Sequence, residues 1–234
     1  MQTDPELKLL ELTRNKNRIT FEELAQHLHT HTDILAKKLE KLTEEKLVNS
    51  HEGILEMDTA QRMRLAERLV HEGHDPQKVS RTLDWREFEE FAGESLELNG
   101  FQTAKHVVFK SRIGKREIDL LAWNHSLLLV IDCKHWSRGL SHSRARQVAQ
   151  AQVERAKALA ERIDLLKRRG VSNCENRFLM PTILCLSEPR ERVVDGVPIV
   201  AVSKLISFLY GVSPMDENLR SIPVNPQAGQ STLM

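Results

Sequence analysis

Several features that would assign this chain to a particular class of protein are scarce or missing. The three cysteines, Cys133, Cys174 and Cys185, have no metal-ligand spacing, and their odd number argues against a disulfide framework. Aromatic residues make up 5% of the chain, which is too few to predict a base-stacking platform. The formal net charge is +1, so the overall composition does not indicate nucleic-acid binding. No apolar run approaches the roughly 20 residues that span a bilayer, so no membrane association is expected.

The N-terminal residues Met1–Glu6 are polar and acidic, unlike the basic and apolar segments of a signal peptide. Together with the unpaired cysteines, this favours a reducing, cytoplasmic location. The length of the chain suits two small domains or one large one.

Two short apolar runs around a three-residue polar turn predict a β-hairpin over residues 116–134. Asp119 lies inside the first run, and Asp132 and Lys134 end the second. Because alternate residues of a strand share a face, Asp132 and Lys134 are expected on one face, with Cys133 on the other. Antiparallel pairing brings Asp119 within side-chain reach of them. Two carboxylates beside an ammonium group suit a hard divalent cation, which prefers oxygen ligands.

The spacing of Asp119 and Asp132-Cys133-Lys134 resembles that of the PD-(D/E)xK nuclease superfamily, and especially the Mrr-type restriction endonucleases and archaeal Holliday junction resolvases. This resemblance implies a restriction endonuclease-like α/β fold, in which helices flank a mixed sheet. It also implies a Mg²⁺ ion, with Mn²⁺ as the alternative, held by Asp119, Asp132 and the carbonyl of Cys133. Lys134 would orient or deprotonate the attacking water and stabilise negative charge.

A structural explanation is also available for each of these residues. Asp119 and Lys134 could form a cross-strand salt bridge of little energetic value, and Asp132 could cap the end of its strand. Glu117, two residues from Asp119 and on the same face, could join the site or lie at its edge.

A helix is predicted over residues 84–100, from an aspartate N-cap to an Asn-Gly stop. Its Phe88-Glu89 pair resembles the opening helix of the Mrr-type enzymes. That resemblance implies that Glu89 approaches the metal site as a further catalytic residue and ligand, with Glu90 as the alternative.

The hairpin is followed by a predicted long helix over residues 141–169, inside a locally basic stretch. Residues 134–169 hold ten Lys and Arg against three Asp and Glu, a net charge of +7. This concentration, which includes Arg144 and Arg146, suits contacts to DNA phosphates beside the site, although many charge runs are simply solvated.

The resemblance also implies a supporting glutamine on this helix, and the sequence leaves Gln147, Gln150 and Gln152 as candidates. His135 and Trp136, which directly follow Lys134, could touch a substrate, but Trp136 is expected to close the core.

Residues 4–57 predict three helices and a two-stranded ribbon, an order that resembles a winged helix. The third helix would be the recognition helix, with Lys37, Lys38 and Lys41 exposed for DNA. However, residues 1–83 hold 13 Lys and Arg against 15 Asp and Glu, which is unusual for a DNA reader. Contact with DNA and a role in protein docking or dimerisation therefore both stay open.

These elements predict a winged-helix domain (1–58), a helical connector (59–83), a restriction endonuclease-like domain (84–212) and a disordered, polar tail (213–234). The fold class is thus α/β, a mixed sheet flanked by helices, preceded by an α+β winged-helix domain. The element order predicted from 84 onward is α-β-β-β-α-β-β-α.

The sequence favours a metal-dependent DNA endonuclease that hydrolyses phosphodiester bonds, either a Mrr-like restriction enzyme or a junction or repair nuclease. The alternative is a winged-helix DNA-binding regulator whose nuclease fold is inactive. DNA is the expected partner, a homodimer would suit symmetric cutting, and the N-terminal domain is the candidate surface for a protein partner.

Overall fold

The computed structural model describes residues 4–14, 16–134, 141–186 and 188–224. The chain divides into two compact units, and among the described residues the first ends at Phe91 and the second begins at Ala92. No helix in these described ranges is both long enough and apolar enough to cross a membrane.

The first unit is built from short helices and a small sheet. Its elements are α1 (Pro5–Thr13), β1 (Arg18–Thr20), α2 (Phe21–Leu28), α3 (Thr32–Glu44), β2 (Asn49–His51), β3 (Ile54–Glu56), α4 (Thr59–His71) and α5 (Pro76–Arg81), followed by the start of α6 (Trp85–Leu98). Asp4 caps α1, and Thr20 and Glu23 form the predicted capping box of α2.

The small sheet has the strand order β1-β3-β2 and is antiparallel throughout. The sequence predicts only the ribbon of β2 and β3, whereas the structure adds β1 on the other side of β3. Strand β1 is three residues long, and it forms because Ile19 is buried opposite Leu55 of β3. So short a strand carries too little alternation to be recognised in a sequence.

A fully buried arginine, Arg62 of α4, links the helices of the first unit. Its guanidinium donates to the carbonyls of Leu10 at 2.9 Å and Thr82 at 2.7 Å, and to the hydroxyl of Thr13. Its Nε also donates to the carboxylate of Glu87, in the first turn of α6, at 2.6 Å. This one side chain thereby donates hydrogen bonds to acceptors on three other segments of the unit, namely α1, the residues that follow α5, and α6.

Glu67, also on α4, carries a carboxyl group whose pKa is raised to about 7 by burial, against a smaller opposing effect of Arg64. A raised folded-state pKa gives stability that is fully present below the unfolded pKa of 4.5 and is lost as the pH rises through about 7. We therefore expect Glu67→Gln to be more stable than the wild type at pH 8, by on the order of 2 kcal/mol. Near pH 4 the advantage should disappear.

The measurement is the free energy of unfolding by urea, taken at half-unit steps from pH 4 to pH 8. Glu40→Gln, at an exposed position of α3, is the matched control and should leave the pH dependence unchanged. Parallel curves for Glu67→Gln and the wild type would contradict the prediction.

The second unit contains a large sheet with helices packed against it. Its elements are the remainder of α6, β4 (Gln102–Ser111), β5 (Gly114–Trp123), β6 (Leu128–Lys134), α7 (His142–Ala160), α8 (Ile163–Arg168), β7 (Phe178–Cys185), β8 (Val193–Val194), β9 (Val197–Ala201), α9 (Leu205–Gly211) and β10 (Ile222–Pro223).

The large sheet has the strand order β4-β5-β6-β7-β9-β8, with β10 paired to the start of β7. Strands β4, β5 and β6 are antiparallel neighbours, whereas β6, β7 and β9 run parallel. Helix α7 packs against β5, β6 and β7. This is the predicted α/β fold, a mixed sheet flanked by helices.

The β4–β5 ladder is irregular at one position. His106 of β4, which the register of the neighbouring pairs places opposite Asp119, has a positive φ of 50°. Ala104 and Val107 both pack on the same core although they are three residues apart, so the strand changes its buried face here. Asp119 therefore lies where the regular pleat is interrupted.

Two sequence-based expectations for the second unit are wrong. The single helix predicted over 141–169 is instead α7 and α8, because Arg162 has a non-helical φ of −114° and ψ of 56°. The tail predicted to be disordered from 213 is ordered as far as 224, because Ile222 and Val224 join the apolar core and Ile222 pairs with Leu179. Residues 225–234 lie outside the described ranges.

Candidate active site

The ends of β5 and β6 bring two carboxylates together. The last paired residues of this ladder are Leu120 and Ile131, and one further step of the register places Asp119 opposite Asp132. Oδ2 of Asp119 accepts a hydrogen bond of 2.9 Å from the backbone N–H of Cys133. Asp119 is thus tied to the strand that carries Asp132.

Asp132 is almost completely buried, and Lys134 contacts it directly. The Nζ atom of Lys134 lies 2.9 Å from each carboxylate oxygen of Asp132, and it donates a hydrogen bond to Oδ1. The side chain of Asp132 is 2% exposed and that of Lys134 is 30% exposed. The two residues share a face of β6, as strand alternation predicts.

The pKa of Asp119 is raised above its ordinary value. The largest cause is burial, and the second is the negative charge of Asp132. The N–H of Cys133 and the positive charges of Lys134 and Arg155 oppose this shift. Two neighbouring carboxylates that repel each other in this way are an arrangement that a divalent cation would stabilise.

Helix α7 contributes two further residues to the same place. Gln152 is fully buried, and its Nε2 donates to the carbonyls of Val130 at 2.7 Å and Thr182 at 3.3 Å. Its Oε1 accepts a hydrogen bond of 2.8 Å from Nη1 of Arg155. The same Nη1 atom donates to Oδ1 of Asp132.

The charges of this cluster nearly cancel, since Lys134 and Arg155 face Asp119 and Asp132. Oδ2 of Asp132 is buried and forms an ion pair with Nζ of Lys134 at 2.9 Å, although it accepts no hydrogen bond from the described part of the chain. Within that part, no group of three or more His, Cys, Asp and Glu side chains is assembled to hold a metal ion. A metal would therefore depend on the carboxylates of the two aspartates and on the nearby carbonyl of Cys133.

Glu89 and Glu90, the candidates on α6, have different environments. Glu89 is buried, at 5% exposed, whereas Glu90 is exposed. Glu89 belongs to the first unit and the carboxylate pair to the second, so its role as a ligand stays a prediction. Glu117 is 53% exposed, and its Oε1 lies 3.3 Å from Nδ1 of His106.

The residues predicted to contact DNA lie on the surface wherever the structure describes them. Lys37 and Lys41 are exposed on α3, and the Nζ of Lys41 lies 3.7 Å from Glu45. Arg144 and Arg146 are exposed on α7. The side chain of Lys38, and both His135 and Trp136, lie outside the described part of the structure.

Sequence reasoning did not identify Arg155 as a site residue, and it left Gln152 as one of three candidates. Gln147 and Gln150 are exposed, so Gln152 alone of the three is buried against the sheet. A usable signal was present, because Arg155 follows Gln152 by three residues and so shares a face of the helix with it.

Comparisons with known proteins concern the part of the chain that contains α6 and the candidate site. A family model described as restriction endonuclease matches residues 80–168, which include Asp119, Asp132, Lys134 and Arg155. An uncharacterized protein of Archaeoglobus fulgidus is 29% identical over 125 residues, covering 53% of this chain and 88% of that protein.

Among solved structures, a crystal structure of a protein of unknown function is 19% identical, with a TM-score of 0.28. The alignment covers 55% of this chain, and the chain spans only 55% of that protein. The family match thus supports placing residues 80–168 in the restriction endonuclease-like superfamily, and it suggests a nuclease of the restriction endonuclease type.

Proposed function

We propose that this protein is a Mg²⁺-dependent endonuclease that hydrolyses phosphodiester bonds in DNA, with Mn²⁺ as an alternative metal. One observation carries the proposal: Asp132 is buried with the ammonium of Lys134 at 2.9 Å, next to Asp119 on the adjacent strand. The restriction endonuclease match over residues 80–168 supports the same reaction class.

Each residue of the cluster has a chemical role in this proposal. Asp119 and Asp132 would hold the metal, with the Cys133 carbonyl as a further ligand. When bound, the metal would act as a Lewis acid on the phosphate and acidify a water molecule. Lys134 would orient the attacking water and stabilise the negative charge that develops on the phosphoryl oxygens. Because the 2%-exposed Asp132 is held by Lys134, its carboxylate is already positioned.

Charge near the site would guide the substrate. Residues 134–169 carry a net charge of +7, and Arg144 and Arg146 are exposed on α7. Nε of Arg146 lies 3.4 Å from Asp195. Because this ion pair is exposed and therefore weak, a DNA phosphate could readily take the place of Asp195. We therefore propose that α7 contacts the DNA backbone beside the cluster.

The first experiment is cleavage of labelled duplex, single-stranded, flap and four-way-junction DNA by the full chain. We expect cutting with Mg²⁺ or Mn²⁺, none with EDTA, and loss of cutting in Asp132→Ala protein. The preferred substrate in the panel would also separate a restriction-like enzyme from a junction or repair nuclease. Metal-independent cutting, or equal cutting by Asp132→Ala, would exclude the proposed site.

A second candidate function is a DNA-binding regulator whose nuclease fold is inactive. The observation that favours it is the near neutrality of the cluster, where Lys134 and Arg155 already compensate Asp132. Titration with Mn²⁺ in the absence of DNA distinguishes the two functions. Retained DNA binding without any metal binding would favour the regulator.

The first unit is the proposed DNA-positioning module. Its order, α1-β1-α2-α3-β2-β3, supports a winged helix in which Lys37, Lys38 and Lys41 of α3 would face DNA. A cleft of about 290 Å³ beside α3 is lined by Glu22, Asp33 and Glu52, which instead favours a basic protein partner. DNA affinity of a Lys37→Ala/Lys41→Ala variant separates these roles, since only a DNA-contacting helix would lose affinity. Symmetric cutting of a duplex would additionally require a homodimer.

A further inference from the structure

We propose that Arg155 is a competitor of the metal ion: its guanidinium holds Asp132 in the metal-free protein and opposes the binding of a divalent cation to the same carboxylate. The proposal rests on the proposed function, because it takes the Asp119–Asp132 pair as the metal site. It assigns to Arg155 a control of metal occupancy that is separate from the role of Lys134.

The contact itself is the first step of the argument. Nη1 of Arg155 donates to Oδ1 of Asp132, and the carboxylate of Asp132 is only 2% exposed. Lys134 donates to the same oxygen at 2.9 Å. A cation that uses Oδ1 must therefore take the place of at least one of these N–H groups, because the buried oxygen has few free directions of approach.

Gln152 holds the side chain of Arg155 in place more firmly than that of Lys134 is held. The amide group of Gln152 is oriented by the carbonyls of Val130 and Thr182, which both accept from its Nε2. Its Oε1 is thereby directed at Nη1 of Arg155, at 2.8 Å. The guanidinium is fixed between two acceptors and is 20% exposed, whereas Lys134 is 30% exposed.

Electrostatics give the sign of the effect. A guanidinium bonded to Asp132 repels a divalent cation at the same carboxylate, and it also lowers the negative potential that would attract one. It lowers the pKa of the neighbouring Asp119 as well, although burial and Asp132 outweigh it there. Removal of Arg155 should thus strengthen metal binding. It should also lower the stability of the metal-free protein, because the buried carboxylate of Asp132 loses one of its cationic partners.

The test uses the full chain without DNA and measures Mn²⁺ affinity by calorimetry and the melting temperature in EDTA. Arg155→Met should bind Mn²⁺ about tenfold more tightly than the wild type. In EDTA the same variant should melt about 5 °C lower. The control is Lys157→Met, an exposed position of α7 where the same charge is removed and neither quantity should change.

If Arg155 had a purely structural role, Arg155→Met would lower both the Mn²⁺ affinity and the melting temperature. Equal or weaker Mn²⁺ binding by this variant therefore overturns the inference. Arg155→Gln, which removes the charge but keeps a hydrogen-bond donor for Asp132, should also bind Mn²⁺ more tightly than the wild type and serves if the Met variant fails to fold. Failure of the wild type and both variants to bind Mn²⁺ would overturn the metal site itself. Loss of binding in Asp132→Ala locates the measured ion at this cluster.

Discussion

Replacement of Lys134 by alanine is expected to slow DNA cleavage by about 10³-fold, because it removes both the group that orients water and a positive charge at the developing anion. The ammonium of Lys134 lies 2.9 Å from both oxygens of Asp132, so no other described lysine is equivalent to it. The measurement is the single-turnover cleavage rate at saturating Mg²⁺. Lys134→Gln should be nearly as slow, since it retains hydrogen bonding without the charge.

The fold should survive this substitution, because Arg155 remains as a partner of the buried Asp132. Lys204→Ala, which removes an exposed lysine that lies outside the basic stretch and is paired with Glu188 at 3.7 Å, is the control and should cleave at the wild-type rate. Circular dichroism and the melting temperature verify that both variants are folded. An unchanged rate for Lys134→Ala in protein free of contaminating nuclease would refute the catalytic role.

Arg62→Met is expected to lower the free energy of unfolding of the first unit by about 3–5 kcal/mol, the usual cost of removing one partner from a buried ion pair. The substitution retains an unbranched apolar stem but leaves Glu87, which is 12% exposed, without its cation. It also removes the donors to the carbonyls of Leu10 and Thr82. Chemical unfolding followed at several wavelengths measures the loss.

Arg64→Met is the matched control, because Arg64 is exposed on the same helix, where its Nε donates to the carbonyl of Ala60. Both variants are compared at pH 5, below the pKa of about 7 of the neighbouring Glu67, so that the loss of Arg64 removes no ion pair with that carboxyl group. Its effect should stay within about 0.5 kcal/mol, as for most surface substitutions. If Arg62→Met and Arg64→Met unfolded at the same denaturant concentration, the buried network would contribute nothing measurable.

The part of the site that could be predicted from the sequence is the part made by local geometry. Asp132 and Lys134 are two residues apart on one strand, so alternation alone puts them on one face. Asp119 follows from the antiparallel pairing of β5 with β6, whose connection is short. The N-terminal caps of α1 and α2 could be predicted equally well, because each cap is formed by residues within a span of four.

The contribution of α7 could not be predicted in the same way. Which face of a helix meets a sheet depends on packing between distant segments, so Gln147, Gln150 and Gln152 look alike in the sequence. Gln152 is distinguished from the other two glutamines only by its hydrogen bonds to the carbonyls of Val130 and Thr182, which lie on two different strands. Arg155 reaches Asp132 because it lies on the same face of α7 as Gln152, and no sequence motif identifies it.

Short or interrupted elements were missed for a related reason. Strands β1 and β10 have three and two residues, and their partners lie far away in the chain. The break before α8 occurs where Arg162 donates to Asp164 and to the carbonyl of Lys110, at 2.9 Å each. A long-range contact such as the one to Lys110 overrides a helical pattern that continues through the break.

The bonds of Gln152 have a consequence for the order of folding. Strands β4, β5 and β6 are sequential antiparallel neighbours, whereas β6 meets β7 only after α7 and α8 have been inserted between them. Pairing between distant segments is slow relative to local pairing, so the ribbon that carries Asp119 and Asp132 is expected to assemble first. Thr182 of β7 is needed to complete the anchoring of Gln152. We therefore expect Arg155 to be held firmly against the carboxylates only after β7 has paired with β6.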